Sequence, residues 1–405
     1  MMEFGPIFKA LKKRKAFAAL IILQVAITLT VMIIALLVTR ATLKEWNLPS
    51  GLDHDNIVAV YPQIFEESLN LKQTVEDDLH KIKQIPGVQL ITPATQIPFS
   101  AENLTDVFIE DTEKAQSFQT SVFNLDVNGV AVLGLQLKQG RHFEDTEVIY
   151  NDNGQNTQPA VVMISEQMAE ALFAQENPVG RSIYLGKNQP PVEIIGVYSN
   201  FMNGERLNFV GQSYRSVIRP MVEYIQGVDP NYLIRVEPGQ TEVLLEEIRG
   251  KLYQTQGRFI QGVEFLSRTQ KRMYDGRGSR SLIMLAVSFV LLIITGLGIS
   301  GLISFLVAQQ KKQIGTRRAL GAKKFQIIRY YLIENSMITG IGLLLGVILS
   351  LVFLIIMATQ SNSQLIHVGW IITITLFIWL ISLVSALHPA MRAAKVEPAI
   401  VTRGA

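Results

Sequence analysis

No cysteine occurs among the 405 residues, which excludes disulfides and thiolate metal sites as the means of holding this chain together. No G-x-x-x-x-G-K-[ST] sequence is present, so the chain offers no phosphate-cradling loop of its own. If ATP is used, the expectation is that another chain binds it with its Mg2+, and that no cofactor is held directly. The five histidines, His54, His80, His142, His367 and His388, have no H-x-x-x-H spacing, and no serine sits in a nucleophile elbow. Metal-assisted and triad hydrolysis are therefore not expected, and neither is enzymatic activity. Four long stretches lack any Asp, Glu, Lys or Arg: residues 17–38, 282–307, 337–357 and 368–387.

Those stretches account for the positive mean hydropathy, +0.26, and for a hydrophobic content of 48% against only 18% charged residues. Each is near the ~20 residues that an α-helix needs to cross a bilayer. Lipid leaves a bare backbone without hydrogen-bond partners, so all four are expected to be spanning helices. Within the second, Gly296, Gly298 and Gly301 formally fit the dinucleotide pattern G-x-G-x-x-G, but no soluble strand precedes them and a nucleotide site is excluded. The net charge of +3 implies no nucleic acid, since much of the basic excess flanks the apolar runs. Lys9, Lys12, Lys13, Arg14 and Lys15 precede the first run and Arg392, Lys395 and Arg403 follow the last. By the positive-inside rule both termini are expected in the cytoplasm and the large region 41–280 outside, with a short external turn at 358–367.

Periodicity divides the external region. Residues 56–63 and 88–97 read as strands around an amphipathic helix carrying Leu71, Val75, Leu79, Ile82 and Ile85. Residues 232–236 and 259–266 read as strands around a helix with Leu244, Ile248 and Leu252 on one face. Two such strand-helix-strand units predict a ferredoxin-like part, at 53–98 and 229–268, split by an insertion at 99–228. In the insertion, 121–128, 183–185 and 191–198 are strand-like, and 165–173 is a short helix capped by Ser165. The pairs Asp77-Asp78 and Glu246-Glu247 are expected on solvated helix faces.

Small residues form stripes in the second span (Gly296, Ser300, Ser304) and the third (Gly342, Gly346, Ser350), predicting close helix packing within one subunit or a contact between two. Between these spans, residues 309–335 hold seven basic residues (Lys311, Lys312, Arg317, Arg318, Lys323, Lys324, Arg329) before the first acidic one, Glu334. With apolar residues interleaved at Ile314, Ala319, Leu320, Phe325, Ile327 and Ile328, the segment 309–329 is expected to be a cytoplasmic helix with a function beyond orientation.

The run QIGTRRALGAKKFQIIRYYLIEN, from Gln313, resembles the signature between the second and third spans of the FtsX-like permease family. The run from Pro389 to Ala399, PAMRAAKVEPA, is similar to the family's closing motif. Residues 160–198, with A-x-x-L-F, N-P-V-G-R and I-I-G-V, are similar to the periplasmic core of MacB-type permeases. Gln313 departs from the family pattern, where Glu is usual. The resemblance implies a membrane α-helical protein of four spans, 1–40, 281–308, 330–357 and 368–388 with their flanks, and a tail at 389–405. To these it adds an α+β extracytoplasmic domain of porter-like and sabre-like parts. It further implies a bacterial inner-membrane location, a separate ABC ATPase subunit, and a second permease copy or a sibling permease. A periplasmic adaptor with an outer-membrane channel is a further implied partner. The coupling residues it implies are Gln313, Ile314, Gly315, Arg317, Arg318, Leu320, Gly321, Lys323 and Lys324.

Overall fold

The structure is a computed structural model that describes residues 15–46, 48–66, 68–100, 104–112, 115–152, 157–204, 212–225, 227–361 and 368–396. The basic flank at 9–14 and the end of the tail, 397–405, lie outside these residues. The chain falls into two compact units, residues 43–277 and residues 1–42 with 278–405.

In the first unit, β1 (Ile57–Ile64), α2 (Leu71–Lys83) and β2 (Val88–Ala94) form one strand-helix-strand element. The Asn70 side chain accepts from the Gln73 backbone N–H at 3.1 Å to start α2, and Leu71, Val75 and Ile82 fall on its buried face. Far along the chain, β11 (Asn231–Val236), α5 (Glu242–Leu252) and β12 (Arg258–Phe265) repeat the element. Their strands join in the order β12-β1-β11-β2, each neighbour antiparallel, and one core of Val58, Val60, Tyr232, Ile234, Ile248 and Val263 lies between strands and helices.

Asp78, expected on a solvated face, has no exposed side chain: it bonds both Nη atoms of Arg258 and accepts from Tyr232 Oη at 2.7 Å. The reason is non-local, because Arg258 enters from β12, at the far end of the sequence. Burial alone would lower the Arg258 pKa, and the adjacent Asp78 carboxylate reverses this and raises it.

The inserted residues supply β3 (Leu104–Phe108), β4 (Phe118–Leu125), α3 (Gly129–Leu133), β5 (Leu137–Gly140) and β6 (Ile149–Asn151). They continue with β7 (Val161–Ser165), α4 (Glu166–Phe173), β8 (Ser182–Leu185), β9 (Pro191–Tyr198) and β10 (Ser216–Glu223). The strand order runs β4-β3-β8-β9-β7-β10, and β10 returns to pair with β4, closing these six strands into a ring. Ser165 caps α4 as expected, accepting from the Met168 N–H at 3.2 Å. Inside, Tyr198 Oη donates to Ser216 Oγ at 2.8 Å, and its ring stacks on Phe201.

Among the described residues, four helices are long and apolar enough to cross a membrane, with their apolar stretches in the second unit: α1 (Lys15–Trp46), α6 (Leu266–Gln309), α8 (Lys324–Ser361) and α9 (Val368–Ala394). Between α6 and α8 lies the short α7 (Lys311–Ala319). The expected turn at 358–367 starts later than predicted, since α8 runs to Ser361; residues 362–367 lie outside the described residues. Gly342 and Gly346 pack on α1: an added Cβ would come within 2.9 Å of the Ile22 carbonyl oxygen and 3.0 Å of that of Ala26. Ser350 is buried beside them and donates to its own helix at Gly346. Gly296 faces Ser385 of α9, whereas Ser300 is half-buried and Ser304 exposed. Polar clasps cross the apolar faces: Thr28 with Thr295 at 2.9 Å, and Asn335 Nδ2 to Ser382 Oγ at 2.7 Å, with Thr339 also on Ser382 at 2.7 Å.

Candidate functional site

The connection between α6 and α8 is not the single helix that its composition predicts. α7 stops at Ala319, and α8 starts afresh at Lys324. Gly321 is the cause. Its φ of +97° is a left-handed conformation that costs glycine little, and it lets the Gly321 and Ala322 N–H groups bond back to Arg318 and Arg317 at 3.1 and 3.0 Å. The next helix begins at once, because Gln326 Oε1 accepts from the Lys323 N–H at 2.9 Å, half of a capping box. The turn is thus tied at both ends by hydrogen bonds.

Its seat is equally defined. Ile314 and Ile327 are buried in a core with Ala390 and Ala393 of α9, and Gly315 is buried beside Ile314. Tyr331 Oη donates to Gln310 Oε1 at 2.9 Å, tying the start of α7 to α8. Arg318 turns inward, its Nη1 donating to the Ala394 carbonyl at 2.5 Å. A guanidinium at a helix C-terminus meets unsatisfied carbonyls and the negative end of the helix dipole.

The other predicted residues face out. Gln313, Lys323 and Lys324 are exposed, Arg317 lies over the Tyr330 ring at 5.3 Å, and Leu320 is 83% exposed at the tip. The structure therefore divides the nine predicted coupling residues: Ile314, Gly315, Arg318 and Gly321 shape and hold the loop, while Gln313, Arg317, Leu320, Lys323 and Lys324 are presented. Sequence reasoning did not separate Arg317 from Arg318. The helical period offers no signal here, since Arg317 and Arg318, three and four residues after Ile314, both fall on its side of the helix, and only the packing against α9 tells them apart.

No group of three or more His, Asp or Glu side chains among the described residues could hold a metal ion. The turn presents an exposed apolar residue, Leu320, with exposed cations before and after it in the chain at Arg317, Lys323 and Lys324.

Residues 18–251, more than half of the chain, match the family model described as the MacB-like periplasmic core domain, and residues 285–398 match the FtsX-like permease C-terminal model. The chain belongs to the FtsX-like permease family with a MacB-like periplasmic core domain. It is similar to the macrolide export ATP-binding/permease protein MacB of Aggregatibacter actinomycetemcomitans, 29% identical over 227 residues, 54% of this chain and 33% of that protein. The protein of the same name from Pasteurella multocida is 21% identical over 363 residues, 85% of this chain and 51% of the relative. The chain spans between a third and about half of the length of these relatives. A crystal structure of the periplasmic region of MacB from Actinobacillus actinomycetemcomitans is 17% identical, covering 55% of this chain and 94% of that one at a TM-score of 0.34. The extracellular domain of the noncanonic ABC-type transporter YknZ from Gram-positive bacteria is also 17% identical, covering 50% of this chain and all of that one at a TM-score of 0.33.

Proposed function

We infer that this MacB-like permease is the membrane subunit of an ABC transporter, and that the α6–α8 connection receives an ATPase subunit. The observation that carries the reading is the tip itself: Leu320 exposed between Arg317, Lys323 and Lys324 on a turn whose ends are hydrogen-bonded and whose base is buried. A force delivered there reaches α9 through Arg318 and α8 through the short turn, so a shift of the partner moves helices and not a slack loop. Basic residues at the tip favour the cytoplasmic side, and in this reading both termini lie in the cytoplasm of a bacterial inner membrane and the 43–277 unit in the periplasm.

In this reading the antiparallel β12-β1-β11-β2 part is porter-like and the inserted strand ring is sabre-like. Two permease copies, or this chain with a sibling, pair around the ATPase dimer. ATP and Mg2+ bind in the ATPase, and its closure is transmitted as movement of the periplasmic unit, exporting a substrate from the periplasm or membrane. The charge-free spans suit transmission without a polar conduit. A cell-wall hydrolysis regulator or a lipoprotein-extraction permease would use the same machinery with a different periplasmic client.

Purification of the full chain from its own membranes with partners retained tests the assignment. Recovery of an ABC ATPase supports it, and an added periplasmic adaptor and outer-membrane channel single out efflux. Reproducible purification with no ATPase contradicts it.

A further inference from the structure

Just beyond the tip, α8 carries an open groove of about 470 Å³ whose lining residues all belong to that helix, among them Phe325, Ile328, Arg329, Leu332, Ile333 and Met337. They recur at steps of three and four, so they form one stripe along α8. Met337 opens the charge-free run, and Phe325 lies twelve residues before it, about 18 Å at 1.5 Å per residue. One leaflet of a hydrocarbon core is about 15 Å deep. The stripe therefore continues the lipid-facing surface of the span for roughly one further acyl-chain length towards the basic connection.

Phe325 is 70% exposed, and Arg329 is the one charged residue on the lining. None of the ion pairs among the described residues involves Arg329, Lys323 or Lys324. Glu334, the one acidic residue of 309–335, is buried. An apolar partner helix seated here would cover Arg329 without supplying it an anion, at the desolvation cost of a buried unpaired charge. A lipid phosphate matches the guanidinium fork, and its chain reaches the stripe from the bilayer without leaving it.

We propose that this groove seats an anionic phospholipid from the adjoining leaflet. The phosphate rests on Arg329 within the field of Lys323 and Lys324, an acyl chain lies along Leu332, Ile333 and Met337 towards the span, and Phe325 and Ile328 flank the headgroup end. The site adjoins the proposed docking tip but does not depend on an ATPase binding there.

The test uses the purified full chain in mixed micelles containing phosphatidylglycerol or phosphatidylcholine, with retained lipid counted by native mass spectrometry. Phosphatidylglycerol is expected to be retained in preference. Arg329→Gln should weaken that retention about fivefold, the scale of one basic residue near an anionic surface. Arg392→Gln, at an exposed position near the end of α9, should leave it unchanged, and Phe325→Ser should weaken retention of both lipids. Equal retention of the two lipids by the unaltered chain, or an Arg329→Gln variant indistinguishable from it, would overturn the proposal. So would hydrogen exchange showing that the groove is shielded only when a protein partner is added.

Discussion

Arg318 of α7 donates from Nη1 to the carbonyl oxygen of Ala394, the last residue of α9, at 2.5 Å. The bond joins positions 76 residues apart and makes the basic connection a fixture of the helix bundle. Arg318→Ala should lower the stability of the detergent-solubilised chain by about 1–2 kcal/mol, the range for a charge-assisted helix-end hydrogen bond. Arg317→Ala should leave stability within about 0.5 kcal/mol, as for an exposed substitution. Thermal unfolding of the two variants side by side checks this, and equal melting temperatures would refute the division of roles.

The Asp78–Arg258 pair is buried on both sides and shared with Tyr232. Removing only the acid, in Asp78→Ala, strands a buried cation and should cost about 3–5 kcal/mol. A paired Asp78→Leu, Arg258→Met variant should recover much of that loss. Chemical denaturation of the full chain compares them, and a double variant no more stable than Asp78→Ala would show that the pair does more than fill space.

Burial raises the pKa of Asp126, against hydrogen bonds from Thr92 and Asn128 that lower it. A carboxyl whose folded pKa lies above its unfolded value, about 3.9, contributes stability that is complete below that value and lost as pH rises through the folded pKa. The difference in unfolding free energy between the unaltered chain and Asp126→Asn should therefore fall as pH rises from about 4 and flatten once pH passes the raised folded pKa. A difference independent of pH would contradict the burial argument.

At Gly342 an added Cβ would sit 2.9 Å from the Ile22 carbonyl oxygen and 3.0 Å from Val25 Cβ, both on α1. Gly342→Leu should push α8 off α1 at a cost of about 1–3 kcal/mol. Ser304→Leu, on an exposed face of α6, should have little effect on the stability of a single subunit. Unfolding in detergent separates the two.

Much of this architecture is legible in the residues. Alternating and helical periods mark both strand-helix-strand elements, and β9 falls on the predicted 191–198 stretch with Ser165 at its predicted cap. Other strands are hidden for physical reasons. β7, Val-Val-Met-Ile-Ser, is buried throughout and so lacks alternation, and β10 contains Pro220, a residue that argues against a strand assignment. Asp78 could not be placed because its partner is 180 residues away. The break at Gly321 was open to reading as a helix stop, but the apolar period carries past it into Phe325, Ile327 and Ile328 and conceals the end of α7. The nine coupling residues came from the family resemblance within a region that its basic composition marks, and only the packing of Ile314 and Arg318 showed which of them face out.

The docking claim is tested most directly by ATP hydrolysis of the ATPase subunit assembled with the full chain in lipid nanodiscs. The comparison is between the unaltered chain and a Leu320→Asp, Lys323→Glu, Lys324→Glu variant, which changes exposed tip residues only. The variant should keep the melting temperature of the unaltered chain yet reduce stimulated hydrolysis about tenfold or more, on the scale of the several kcal/mol that like charges cost across an interface. Undiminished stimulation by a correctly folded variant would contradict the assignment of this loop as the site where the ATPase is received.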